Sequence, residues 1–346
     1  MKQIILRSVV TTLAVLAVAA SCGSEDDSDA PQAAQPSAPE PPPVEEPSEV
    51  LVGLIMEARP AAQPWSAAIA DAAAAFAADN PGVRFVETFD AYDPTAAEPN
   101  ARQFLADGAA AILFHSFALD DLAQSLAPEA PDVAMSVSSF SEPIQPNLRI
   151  ATASYLQIGY SNCWLLARLS ETGLIGFVGA APIPYATELQ LGCELGAEAA
   201  GGVEVLAAYS DDFVDQQATL EQAQNLVDQG IDGLFPASAT EDSLGGFQLC
   251  EQADLNCAGW ASDAARYAPT TAVASAVIDW TVMIESMVSE SLSGTLSAET
   301  FNATFANGGL TGAPLTPEAA QRVPDDVAAE FADVVAALTA YEIDLP

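Results

Sequence analysis

Residues 175–185 read IGFVGAAPIPY, and this stretch decides the fold. The run 174–178 has the length and composition of a strand buried on both faces. Its side chains shrink away at Gly179, Ala180 and Ala181, and two prolines flank Ile183 before a helical pattern begins near Tyr185. A buried strand that turns directly into a helix is half of a βαβ unit in a parallel sheet. The small residues allow close backbone approach by a ligand or an opposing lobe. Pro182 and Pro184 stiffen the helix entry, where a fixed φ and a missing N–H cost little.

The same alternation extends in both directions. Apolar runs at 50–56 (VLVGLIM), 83–89 and 109–114 are followed by helical patterns at 65–78, 101–107 and 119–125, and a run at 133–137 closes this half. After 174–178 and its helix come runs at 203–209, 233–235 and 257–260, separated by helical patterns at 216–228 and 243–250. At this spacing the connections are right-handed crossovers. The chain is therefore predicted to be α/β, with two doubly wound, Rossmann-like lobes over residues 50–150 and 151–270. The segment 271–346 offers a strand-like run at 272–278, a helix at 279–292 and a final helix at 325–340. Too small for a third lobe, it is expected to return and complete the first, with crossings near Ala151 and Thr270 forming a multi-crossing hinge. Ligands on such sheets bind beyond the carboxyl ends of the strands, and two facing lobes close around one.

The first 49 residues are read apart from the fold. Lys2 and Arg7 precede an apolar run at 8–20, and Ala19, Ala20 and Ser21 lead into Cys22. The run is of signal-peptide length and too short to span a bilayer comfortably. Residues 1–21 thus read as a lipoprotein signal peptide and Cys22 as the lipidated cysteine of a bacterial lipobox, with Ala19 where leucine is usual. An ordinary secretory signal cut near Cys22 is the alternative. Residues 22–49, rich in Asp, Glu, Ser and Pro, bury too little surface to fold and read as a disordered acidic tether. Either signal places the folded part outside the cytoplasm; lipidation adds an anchor in the cell membrane or outer membrane, facing the periplasm or the cell surface.

A net charge of −39, with Lys2 the only lysine, argues against nucleic acid or an anionic surface as partner. After Cys22 the cysteines are Cys163, Cys193, Cys250 and Cys257. In an exported chain an even count suggests disulfides, with three connectivities open and four free thiols as the alternative. The short loop between Cys250 and Cys257 favours that pair, leaving Cys163 with Cys193. No cofactor, metal or catalytic residue is expected. His115 is the only histidine and reads as a satisfied strand-end residue, while Asp211, Asp212 and Asp215 lack the glycine that a calcium loop needs.

IGFVGAAPIP (175–184), Leu195-Gly196-Ala197, DFVD (212–215), VDQGID (227–232), GWASD (259–263), Tyr267-Ala268-Pro269 and Asp279-Trp280 follow one another in an order and spacing similar to the basic membrane protein family. The first half fits through VGLIM, Trp65 and FHSF (114–117). The resemblance implies an ABC-transporter substrate-binding lipoprotein of type I periplasmic-binding architecture, of a kind that often binds purine nucleosides. It places Trp65 and Phe213 as aromatic walls from opposite lobes, with Trp280 and Phe117 beside them. Ser116, Asp215, Asp242 and Asp263 become the polar contacts at strand ends. Trp65, Phe213 and Trp280 also suit core packing, and Asp215 and Asp242 fit helix N-caps equally well. Ala62, Ile69 and Ala261 stand where the family carries polar residues, and Glu57 and Arg59 are the nearby substitutes.

These readings lead to an extracytoplasmic receptor that captures a small ring-containing solute, a purine nucleoside or base, and presents it to an ABC permease. A sugar-binding receptor and a ligand-sensing or partner-binding lipoprotein of the same fold are the alternatives; an enzyme is disfavoured. The acidic composition also points to a salt-rich habitat, since molar salt cuts the screening length to about 3 Å. The melting temperature is expected to rise between about 0.1 M and about 2 M NaCl; equal stability at both would remove this reading.

Overall fold

In the computed structural model, residues 49–89 and 91–346 are described. The signal peptide, Cys22 and the tether up to residue 48 lie outside the described residues. Among the described residues, no helix is long and apolar enough to cross a membrane.

The first half lays down β1 (Val50–Met56), α1 (Pro64–Asp79), β2 (Val83–Thr88), α2 (Pro94–Ala106), β3 (Ala111–His115), α3 (Asp120–Leu126), β4 (Ala134–Ser138) and β5 (Leu148–Ala153). β1, β3 and β4 are buried almost throughout, as strands sandwiched between helices must be. The chain then enters α4 (Tyr155–Leu169), followed by β6 (Leu174–Gly179), α5 (Pro184–Ala199), β7 (Glu204–Tyr209), α6 (Gln216–Val227), β8 (Gly233–Pro236), α7 (Ser243–Ala253), β9 (Asn256–Ala261) and β10 (Ala272–Ile278). Last come α8 (Thr281–Ser293), β11 (Thr300–Ala303), β12 (Leu310–Gly312), α9 (Pro317–Ala320) and α10 (Asp325–Thr339).

Two six-stranded sheets result, ordered β2-β1-β3-β4-β5-β11 and β7-β6-β8-β9-β10-β12. Every pairing is parallel except β10 with β12. This is the doubly wound α/β architecture with two lobes.

The tail differs from expectation. Residues 272–278 do not return to the first lobe: β10 pairs in parallel with β9, placing Ala276 opposite Trp260. Its small side chains, AVASAVI, bury under α4 and give that helix a flat floor. β12 and α10 also belong to the second lobe, where Phe331 of α10 stacks on Trp164 of α4 at 6.0 Å. Only α8 and β11 return to the first lobe. There the nearly buried Arg149 of β5 reaches Glu290 of α8 at 2.7 Å, and Ser291 donates to the carbonyl of Ala110. The chain thus crosses between lobes after β5, after β10 and after β11.

Helix α4 has no counterpart in the pattern reading. It is buried on nearly every face, with polar Gln157, Ser161 and Asn162 taken inside along with the apolar residues. It lies hard against α5. A Cβ on Gly192 would come within 2.3 Å of the carbonyl oxygen of Leu156, and one on Gly196 within 2.2 Å of that of Tyr160. The disulfide Cys163–Cys193 clamps the same pair of helices, and Cys250–Cys257 joins α7 to β9.

Gly192→Ala sets two effects against each other. Alanine gains up to about 1 kcal/mol in helix propensity, but here its methyl meets backbone that has nowhere to go. A net destabilisation of about 1–3 kcal/mol is expected in urea denaturation; an unchanged or raised midpoint would show that the helices can separate freely.

Candidate functional site

The carboxyl ends of both sheets face each other across a cavity of about 260 Å³. Glu57, Trp65, Tyr92, Phe117 and Ala118 line it from the first lobe; Ile183, Tyr185, Phe213, Val214, Ser238, Thr240 and Trp260 line it from the second. Six of these side chains are aromatic.

Trp65 sits in the first turn of α1, directly after Pro64 at the helix start. Its indole stacks on His115 at 4.4 Å and on Phe117 at 5.8 Å, and Trp280 supports it edge-on at 5.8 Å. Trp280 is wholly buried and lies outside the cavity lining, so it backs Trp65 rather than forming a wall of its own. His115 places Nε2 3.1 Å from the carbonyl of Trp65; since a carbonyl only accepts, Nε2 carries the proton. Burial pushes its pKa down to about 3, and the ring stays neutral.

The opposite wall hangs from the loop after β8. Three successive carbonyls there each accept from an aromatic residue. Trp260 Nε1 donates to Ala237 at 2.9 Å, the Tyr185 hydroxyl to Ser238 at 3.4 Å, and the backbone N–H of Trp65, from the other lobe, to Ala239 at 2.9 Å. Ala239 adopts φ 58°, a left-handed conformation that a non-glycine residue holds only under constraint. The constraint is Asp242, fully buried, whose carboxylate accepts from Ser238 Oγ (2.6 Å), Thr240 Oγ1 (2.7 Å) and Thr219 Oγ1 (2.9 Å).

The other acids fall elsewhere. Asp215 is exposed and caps α6, accepting from the N–H groups of Gln217 and Ala218. Asp263 caps the short 3₁₀ turn Ala264–Arg266 and does not line the cavity. Ser116 is buried behind the wall, where it hydrogen-bonds Glu57 and caps the turn beginning at Phe117. Of the eight positions expected to bind ligand, Trp65, Phe117 and Phe213 line the cavity. Asp242, Ser116 and Trp280 hold up its walls, while Asp215 and Asp263 act as caps outside it. The one carboxyl in the lining is that of Glu57, whose pKa burial pushes up to about 7 against the pull of Ser116 and Gln63. Arg59 is exposed, with its guanidinium over Phe89.

Tyr185 and Trp260 are lining residues that the sequence reading did not single out. The signal lay within the motifs already quoted, in the last residue of IGFVGAAPIPY and the tryptophan of GWASD. In the middle of IGFVGAAPIPY, Gly179 serves packing, since a Cβ there would meet the Tyr209 ring at 2.7 Å. It is Ile183 and Tyr185, not bare backbone, that reach the cavity.

Two further contacts cross between lobes. Tyr92 donates to Glu241 at 3.2 Å, and Arg266 pairs with Asp71 of α1.

A purine-binding protein of Brucella abortus is 24% identical over 232 residues, 67% of this chain and 64% of that protein. Basic membrane protein A1 of Borrelia garinii is 25% identical over 183 residues, 50% and 53% of the two chains. These alignments thus span somewhat less than two thirds of the relatives' own length. An ABC transporter solute-binding protein from Conexibacter woesei superposes with a TM-score of 0.72 at 26% identity, covering 86% of this chain and 98% of its own. Its two-lobed fold is the type I periplasmic solute-binding architecture seen here. Residues 49–311, well over half of the sequence, match the family described as PnrA-like ABC transporter substrate-binding proteins, so this chain belongs to the Bmp family.

Proposed function

We propose that the protein is the extracytoplasmic solute receptor of an ABC importer, anchored through Cys22, which captures a purine base or nucleoside between its lobes and presents it to the membrane permease. The observation that carries this reading is the cavity itself: aromatic rings from both lobes surround a space whose one ionisable lining group that is not a tyrosine is Glu57. A flat heteroaromatic solute gains from faces above and below it, about 0.5–1.5 kcal/mol per stacked ring beyond burial. No bond is made or broken. Binding strengthens the contacts that join the lobes, and the closed form is what a permease recognises. The purine-binding Brucella relative supports the choice of ring.

In a thermal-shift screen against purines, sugars and amino acids, a purine at a hundred times its Kd should add about 2.7 kcal/mol to stability. A sugar or amino acid shifting the melt while every purine fails would overturn the reading. Phe213 is only half-buried, so it can be removed with little loss of core. Phe213→Ala is expected to weaken purine binding about tenfold, equivalent to about 1.4 kcal/mol, with nearly unchanged melting; unaltered affinity would take Phe213 off the ligand wall.

Glu57 gives a pH signature. Its carboxyl ionises near its ordinary 4.5 in the unfolded chain and near 7 in the folded one. Between those values the unfolded state releases a proton that the folded state keeps, so folding weakens as pH rises. The stability present below pH 4.5 is lost through pH 7, by up to about 3 kcal/mol. Glu57→Gln should flatten this slope in ligand-free protein; an unchanged profile would show that Glu57 is ionised inside the cavity.

A further inference from the structure

Resting on the reading of a receptor that closes around its solute, we infer that closure of the lobes takes up a proton from solvent at Glu57, so that the receptor holds tightest in acid and loosens as the pH rises through neutrality. Glu57 follows β1 at the carboxyl end of the first sheet and lies in the cavity lining, 8% exposed. The second lobe presents Tyr185, Ser238, Thr240 and Trp260 to the same space.

No cation answers a negative charge there. The lining includes no arginine or lysine, and none of the ion pairs among the described residues involves Glu57. Arg59, two positions on, is exposed with its guanidinium over Phe89. The groups that face Glu57 are neutral or negative. From its own lobe, Ser116 and Gln63 hydrogen-bond it, and His115, on the neighbouring strand, is uncharged. From the second lobe come the Glu241 carboxylate, which repels a charge on Glu57, and the Tyr185 hydroxyl, which burial keeps protonated. Tyr92 of the first lobe holds Glu241 at 3.2 Å, so closing the lobes fixes that second carboxylate at the mouth.

Gln63 shows what the neutral acid supplies. Its side chain is wholly buried; Nε2 donates to Ser66 Oγ at 2.6 Å, and Oε1 has no donor. A carboxylate only accepts and leaves that oxygen orphaned, whereas a protonated carboxyl brings an O–H to the amide it touches. A buried acceptor without a donor is costly, so this pair too favours the proton on Glu57. In the closed arrangement burial places the carboxyl at about 7, against an ordinary 4.5 in water. Below pH 4.5 both forms hold the proton and closure is undisturbed. Between 4.5 and about 7 the open form gives up a proton that the closed form keeps, and closing weakens by up to about tenfold per pH unit. Above that range both forms are ionised and the loss levels off.

The backbone N–H of Trp65 reads closure directly. It lies in the first turn of α1, where helix amides lack an intrahelical partner, and its acceptor is the Ala239 carbonyl of the other lobe at 2.9 Å. Hydrogen exchange at this amide is measured by NMR in ligand-free protein and corrected for the intrinsic pH dependence of exchange. Protection at Trp65 is expected to stay below that of the β3 amides, since the lobes part without unfolding, and to fall at least about tenfold between about pH 5.5 and about pH 8. Glu57→Gln matches the neutral carboxyl in shape and charge, and should keep the protection of the acid form at both pH values. Equal protection of wild-type Trp65 at both, or a fall that persists in Glu57→Gln, overturns the inference and leaves the receptor reading standing. Trp65 protection as high as that of β3 shows that the lobes do not part short of unfolding, which overturns both. No solute is needed, so the result is independent of the purine reading, which the thermal-shift screen decides.

Discussion

A buried carboxylate fixes the loop on which the site depends. Asp242 lies inside the second lobe, where a lone charge would be costly, and the hydroxyls that neutralise that cost come from Ser238, Thr240 and Thr219. Burial still pushes its pKa above the ordinary 3.8. Two of its donors lie in the loop after β8, so satisfying the charge dictates that loop's path, including the left-handed turn at Ala239. With the path fixed, the three carbonyls fall where Trp260, Tyr185 and Trp65 can meet them. The first two are wall; the third belongs to the other lobe. One carboxylate therefore both shapes the cavity wall and holds a carbonyl where the other lobe meets it.

A wall of this kind is useful only on a rigid body, and the second lobe is made rigid by close helix packing. Glycines on α5 let it approach α4 to backbone contact, and the Cys163–Cys193 bond prevents the two from parting. α10 covers α4 from outside through Phe331. Flexing is then left to the connections after β5, β10 and β11. Contacts across the mouth are of a different kind: Tyr92 with Glu241 and Arg266 with Asp71 are exposed and weak singly. Weak contacts at the rim and strong ones inside each lobe are what a reversible closure requires.

The fold was legible because parallel strands buried on both faces leave continuous apolar runs, although β5, whose sequence LRIATA is broken by Arg149, was not among those read. What failed was whatever depends on neighbours rather than on pattern. α4 takes polar Gln157, Ser161 and Asn162 into the interior, and only its neighbours α5, α10 and β10 explain that. β10 was expected in the first lobe and lies in the second, between β9 and β12, since nothing in AVASAVI distinguishes one sheet from the other. The site shows the same division. Trp65, Phe117 and Phe213 were reached through family resemblance. Asp215 and Asp263 were not separable from ligand contacts, because an acid at a strand end and an acid at a helix start are the same residue type in the same place. Asp242 stands at the N-cap position of α7 without a side-chain cap hydrogen bond, and its carboxylate instead holds the loop behind the wall.

The charge distribution bears on what can enter. The whole chain carries −39, yet the cavity lining includes no arginine or lysine, and its one carboxyl has a pKa near 7. An anionic solute would meet a like-charged exterior and find no cation inside to replace its lost hydration. Salt screens the exterior but does little for a charge already buried. A neutral ring, the proposed solute, would lose little on leaving water and gain the rings on both sides, in a cavity whose one carboxyl is pushed by burial up to about 7.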